Sequence, residues 1–118
     1  MSEALDVERL RQQLKGSRKR LLRLSAVFFQ YYRQQLTEVQ AALQARDSES
    51  FRRATHTYKG TVSSFAAQPS VELSLQLESM GREGVWNGAE AVLEQLQRQA
   101  ELVRERLEQL SQEEGWSV

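Results

Sequence analysis

Cysteine is absent from this 118-residue chain, so no disulfide, thiol redox couple or thiolate metal site can contribute to its structure or chemistry. A reducing compartment is compatible with that composition. Long apolar runs are also missing. The stretch from Met1 to Leu10 alternates charge with apolar residues and carries neither a signal-peptide core nor a spanning segment, so the expectation is a cytoplasmic protein without membrane insertion. The cytoplasmic end of a larger receptor would read the same way. Charge of one sign is lacking as well: sixteen basic and sixteen acidic side chains cancel, which argues against the broad positive field that nucleic-acid binding needs. No Walker-type loop, Ser/His/Asp set or metal-binding pair of histidines occurs, which disfavours an autonomous kinase, a hydrolase or a metalloenzyme.

One proline and six glycines are spread over a chain rich in Leu, Gln, Glu, Arg and Ala, the composition of long helices. The predicted class is all-α. A short helix is expected over 4–14, with Val7, Leu10 and Leu14 apolar, stopping near Lys15-Gly16. Ser17 then caps a long helix over 17–45. Its Leu21, Leu24, Phe28, Tyr32, Leu36, Val39 and Leu43 recur at steps of three and four, and a second line, Leu22 and Phe29, is expected to receive the short first helix. Arg18-Lys19-Arg20 reads as a solvated helix start. Arg46-Asp47 breaks the chain, and Asp47 or Ser48 opens a helix over 48–67 with Glu49 near its positive end.

Pro69 bends the chain into a helix over 70–82, with one apolar line of Leu73, Leu77 and Met80 and a second of Val71, Leu75, Glu78 and Arg82 that turns polar. Gly81, Gly84 and Gly88 mark a loop, and Asn87 with Glu90 has capping-box spacing for a last helix over 88–112, whose Ala89, Val92, Leu96, Val103, Leu107 and Leu110 face inward. Short connections force antiparallel neighbours. The expected architecture is an antiparallel up-down four-helix bundle with an additional short amino-terminal helix, forming one domain over 1–118. A monomer is expected, with Phe29 and Trp116 as residues through which copies could associate.

The one histidine, His56, falls in the third of these long patterns. At about 100° per residue, Phe51, Ala54, Tyr58, Thr61, Val62 and Phe65 form one stripe, and His56 lies opposite it. Arg52, Arg53, Lys59, Gly60 and Ser63 fall within about 60° of the imidazole. The ring is therefore expected to be displayed on a polar, partly basic face. A glycine in mid-helix costs roughly 1 kcal/mol against alanine. Gly60 therefore asks for a reason, either tight packing or access for a partner.

The segments Ala54-Thr55-His56-Thr57-Tyr58-Lys59-Gly60-Thr61, Ser63-Ser64-Phe65-Ala66-Ala67, Leu77-Glu78 and Arg82-Glu83-Gly84, together with the helix order, make the chain similar to the histidine-containing phosphotransfer (HPt) domain family. His-x-x-Lys-Gly followed by small residues is the shared string. Tyr58 stands where the family often has Leu, Val62 where it often has a small residue, and Ala66 where it often has Gly. These three departures lie on or near the inward side.

The resemblance implies a two-component phosphorelay in which His56 becomes a phosphohistidine, exchanging its phosphoryl group with an aspartate of a response-regulator receiver domain, with the receiver, a hybrid sensor kinase or both as partners. Imidazoles titrate near neutrality and can offer a ring nitrogen as nucleophile. Lys59 would give electrostatic support to the phosphoryl oxygens, and Gly60 would let the partner approach closely. Glu78 and Arg82 hold family positions near the histidine. They read either as a weak surface pair or as a second tier in which Glu78 accepts a hydrogen bond from the ring. Arg52, Arg53 and Ser63 would form the rim that meets the partner. No cofactor is expected on this chain, since Mg²⁺ would belong to the receiver's acidic pocket. The alternative is a docking module that binds a receiver or kinase through the same face and accepts no phosphate.

Overall fold

The computed structural model describes residues 3–117, so residues 1, 2 and 118 of the domain expected over 1–118 lie outside it. Five helices follow in order: α1 (Val7–Gln13), α2 (Arg18–Ala45), α3 (Ser48–Ser63), α4 (Gln68–Glu83) and α5 (Ala89–Leu110). α2 packs on α3, α3 on α4, α4 on α5 and α5 on α2, closing a four-membered antiparallel ring in which α3 and α4 pack most extensively. None of the described helices is long and apolar enough to cross a membrane.

The core is drawn from one stripe of each long helix. Leu21, Phe28, Tyr32, Leu36, Val39 and Leu43 come from α2, and Phe51, Tyr58 and Val62 from α3. α5 contributes Leu93, Ala100 and the inward residues expected for it. Phe28 stacks on Tyr32 with ring centroids 4.7 Å apart and meets Phe65 edge-on at 5.3 Å, both inside the range favoured for aromatic pairs. The three positions where the chain departs from the HPt pattern are all buried: Tyr58, Val62 and Ala66. Tyr58 carries a buried hydroxyl with no hydrogen-bond partner.

Asp6, Ser17 and Asp47 open α1, α2 and α3 by accepting from the backbone N–H three residues on. Arg46 stops α2 in the left-handed conformation at φ 54°. Several boundaries and faces differ from those read in the sequence. α1 begins only at Val7. The preceding segment is tied to the α3–α4 turn, where the Asp6 N–H donates to the Ala66 carbonyl at 2.9 Å and Leu5 is fully buried. Leu22 and Phe29 stay exposed, so that second line of α2 does not receive α1.

α3 ends at Ser63 rather than near Ala67, because Ala66 turns left-handed at φ 54° and the Ala67 N–H reaches back to the Val62 carbonyl at 3.3 Å. A left-handed alanine is strained where glycine is not, the physical sense of a glycine preference at that position. α4 starts at Gln68, two residues before its expected start, with Pro69 accommodated in the first turn, where a missing N–H leaves no bond unmade.

Arg18 is not merely a solvated helix start. Its guanidinium donates to the carbonyls of Ser111 (2.5 Å) and Glu113 (2.6 Å), its backbone N–H donates to Ser117, and the Ser117 N–H donates to Gly16. Trp116 is buried beside this clasp with Arg11 over its ring at 5.1 Å, so it is not a free surface for self-association. At the other end Asn87 does not cap α5. Gly88, left-handed at φ 87°, occupies the cap position, and no side chain bonds the first turn.

Gly81 belongs to α4 and not to the loop. The buried line of α4 is Ser70, Ser74, Leu77 and Gly81, three of them small, which lets α3 come close. A Cβ at Gly81 would lie 2.7 Å from Cδ2 of Phe51, well inside van der Waals contact, and Phe51 is wedged against Trp86 at 5.4 Å. Gly81→Ala is expected to lower stability by about 1–3 kcal/mol through overpacking, despite alanine's better helix propensity. Urea unfolding checks this, and a variant as stable as the parent would show that Phe51 has room to yield.

Candidate functional site

The closeness of α3 and α4 decides what the one histidine meets. His56 stands on the outer face of α3 with 66% of its side chain exposed, opposite the buried Phe51, Tyr58 and Val62. Across the groove, Glu78 of α4 is 12% exposed and lies between two groups of α3. Its Oε2 is 3.0 Å from Nδ1 of His56, and its Oε1 accepts from Nζ of Lys59 at 2.9 Å. A carboxylate only accepts, so the hydrogen on the neutral ring sits at Nδ1 and the lone pair at Nε2. Nε2 has no hydrogen-bond partner among the described residues, on a side chain that is mostly exposed.

Glu78 is the residue that organises this arrangement. Burial pushes its carboxyl up, but hydrogen bonds from Lys59 and His56 outweigh that and hold it below its ordinary value. Of the two sequence readings for Glu78 and Arg82, the surface pair is not formed: both carboxylate oxygens face α3, and Arg82 is exposed without an ion pair to Glu78. Lys59 is on the histidine's side of α3, as expected, but its ammonium is engaged by Glu78 and its side chain is only 22% exposed.

The rest of the expected rim is present and partly committed. Arg53 pairs with Glu49 at 3.1 Å, while Arg52 is exposed. Ser63 turns its hydroxyl back onto the Lys59 carbonyl at 2.7 Å, and Ser64 does the same to Gly60 at 3.3 Å. Gly60 itself is exposed, and a Cβ built there would meet nothing within 4 Å. Tight internal packing therefore does not explain this glycine.

Gln35 was not singled out by sequence. Its Oε1 accepts from Thr61 at 3.0 Å and ties α2 to the far flank of α3. Only the antiparallel register brings these two residues together, and no local pattern announces it. Among the described residues no three His, Cys, Asp or Glu side chains converge in a way that could hold a metal.

What the arrangement can do follows from these parts. An accessible ring nitrogen with its lone pair turned outward can attack an electrophile. The carboxylate behind it stabilises positive charge that develops on the ring during that attack. No wall encloses the ring, so any reaction partner must bring the remainder of the active site.

The ion pair of Glu78 with Lys59, together with its hydrogen bond to His56, also makes an acid-sensitive joint between α3 and α4. Since its carboxyl lies below the ordinary 4.5 in the folded state, its contribution is present above that pH and is lost as pH falls through the folded value. The stability difference between the parent and Glu78→Gln is therefore expected to shrink as pH falls below 4.5. Urea titrations across that range check it, and a difference independent of pH would show that the carboxylate's charge is not what Lys59 and His56 hold.

The family model of the Hpt domain matches residues 23–113. Among solved structures, the chain is similar to the crystal structure of histidine-containing phosphotransfer protein B (HptB) from Pseudomonas aeruginosa PAO1. The identity is 27%, the TM-score 0.85, and the match covers 95% of this chain and 97% of that one. No curated protein matches the chain in sequence.

Proposed function

The chain belongs to the Hpt domain family, and from that premise we propose that it carries a phosphoryl group on Nε2 of His56, to or from an aspartate of a response-regulator receiver domain or hybrid sensor kinase. The observation that carries this reading is the ring's setting: a side chain 66% exposed, held through Nδ1 by Glu78 at 3.0 Å, with Nε2 unbonded among the described residues. In acceptance, the Nε2 lone pair forms the N–P bond while the P–O bond of the aspartyl phosphate breaks, and its electron pair leaves with the aspartate carboxylate. The ring keeps its Nδ1 hydrogen and becomes a phosphorylated imidazolium facing Glu78. Return of the phosphoryl group runs the same path backwards and needs no proton transfer at the phosphorus.

Positioning and charge stabilisation dominate phosphoryl transfer, so a carrier without kinase activity of its own needs little more than this ring and an open surface. Gly60 supports the second requirement, since it gives up helix propensity at a place where nothing inside the fold would touch a side chain. We assign it to close approach of the partner, with Arg52 and Arg53 on the rim. Mg²⁺ is expected in the receiver's acidic pocket. The protein is proposed to act in the cytoplasm as a monomeric domain spanning residues 1–118.

Incubation with a phosphorylated receiver domain and Mg²⁺ is expected to put an acid-labile, alkali-stable phosphate on the parent and none on His56→Gln. A parent that never takes label, with binding that survives His56→Gln, would instead make the chain a docking module.

Gly60→Ala should raise stability by roughly 0.5–1 kcal/mol, and Gly60→Leu should weaken receiver binding at least tenfold without loss of fold. Equal affinity of Gly60→Leu and the parent, read by calorimetry, would remove the glycine from the interface.

A further inference from the structure

Lys59 stands three residues from a phosphoryl acceptor, yet its ammonium is turned to a carboxylate that the acceptor ring also uses. Glu78 gives Oε1 to Lys59 at 2.9 Å and Oε2 to His56 at 3.0 Å, and its side chain is 12% exposed. A carboxylate so enclosed needs a compensating charge. Two groups on α3 could supply it: the Lys59 ammonium, or the imidazole, which becomes cationic only by taking a proton at Nε2. The second choice would remove the lone pair that makes the ring a nucleophile.

We propose that Lys59 acts through Glu78: by balancing the shared carboxylate it removes the demand for a proton on the His56 ring, so that Nε2 keeps its lone pair. Lys59 is then a positioning residue whose target is the ring's charge rather than the phosphoryl oxygens. The same partition serves the reverse direction. Once the ring carries a phosphoryl group and becomes cationic, it faces the Oε2 edge of a carboxylate already half claimed by Lys59, and neither charge over-stabilises the phosphorylated form.

The other charges around the ring do not offer the same balance. On α3, Arg53 is spent on Glu49 at 3.1 Å and Arg52 is exposed. On α4, Arg82 is exposed without an ion pair to Glu78. From α2, on the far flank of α3, Gln35 reaches Thr61 without bringing a charge, and Glu38 is exposed. The arrangement reduces to one anion between one fixed and one conditional cation.

The test compares Lys59→Met, with Lys59→Gln as a second neutral variant, to the parent by ¹⁵N NMR titration of the ring and by the pH profile of phosphoryl acceptance. Removing the ammonium leaves the carboxylate to the imidazole alone, which favours the protonated ring. The titration midpoint is therefore expected to move up by about one pH unit, and acceptance at pH 7 to fall by up to about tenfold and recover at higher pH. Lys59→Arg should keep the parent midpoint. In a Glu78→Gln background, Lys59→Met should move it distinctly less, by only the direct effect of one cation on the other.

An unmoved midpoint with acceptance reduced equally at every pH would overturn the proposal and return Lys59 to the phosphoryl group. The proposal depends on the carrier reading only for what the neutral ring is used for. The titration is read on unphosphorylated protein, so a parent that accepts no phosphate would sink that reading while leaving the charge balance decided by its own measurement.

Discussion

The contact between Phe51 and the bare backbone of Gly81 sets the spacing on which the site depends. Because α4 presents Ser70, Ser74, Leu77 and Gly81 to its neighbour, the two helices approach closely enough for a glutamate, a short acidic side chain, to span the groove and meet α3 at two points. Were that line of α4 built from larger residues, Glu78 would stand off from Nδ1, and the histidine would be a surface side chain with no partner to fix its tautomer. The chemistry on the outside of the bundle thus follows from a steric condition inside it.

Two helical glycines show how opposite physical demands call for the same residue. At Gly81 a methyl group has nowhere to go; at Gly60 it would meet nothing. Sequence alone could not separate these cases. In sequence the first falls among the loop glycines, since it precedes Gly84 by one turn, and the second fits packing and access equally. The cost of a helix-interior glycine was legible at position 60, but its cause required knowing what lies beyond the Cα.

Periodicity carried the fold class, the helix order and most of the core, because steps of three and four over twenty or more residues leave little choice of face. The stripe opposite His56 held from Phe51 to Val62. What periodicity missed lies where local geometry or distant partners decide: the left-handed turn at Ala66 that ends α3, the glycine rather than the asparagine at the start of α5, and the Arg18 clasp on carbonyls more than ninety residues away. In the site, the display of the ring and the nearness of Lys59 followed from helix geometry. The pairing of Glu78 with both followed from the register of two helices, and the family pattern offered only its position as a hint. Arg82, offered by the same hint, is not drawn in.

The two tryptophans close opposite ends of the bundle. Trp86 packs on Phe51 beneath Arg46, beside the α2–α3 and α4–α5 turns, and Trp116 lies under Arg11 where the chain's last residues meet the start of α2. The molecule therefore contains two indole fluorophores at opposite ends of the bundle, each with a different set of neighbours. With one of them replaced by phenylalanine at a time, emission from the other would report fraying at its own end, so that local loosening and whole-domain melting could be told apart without any added label.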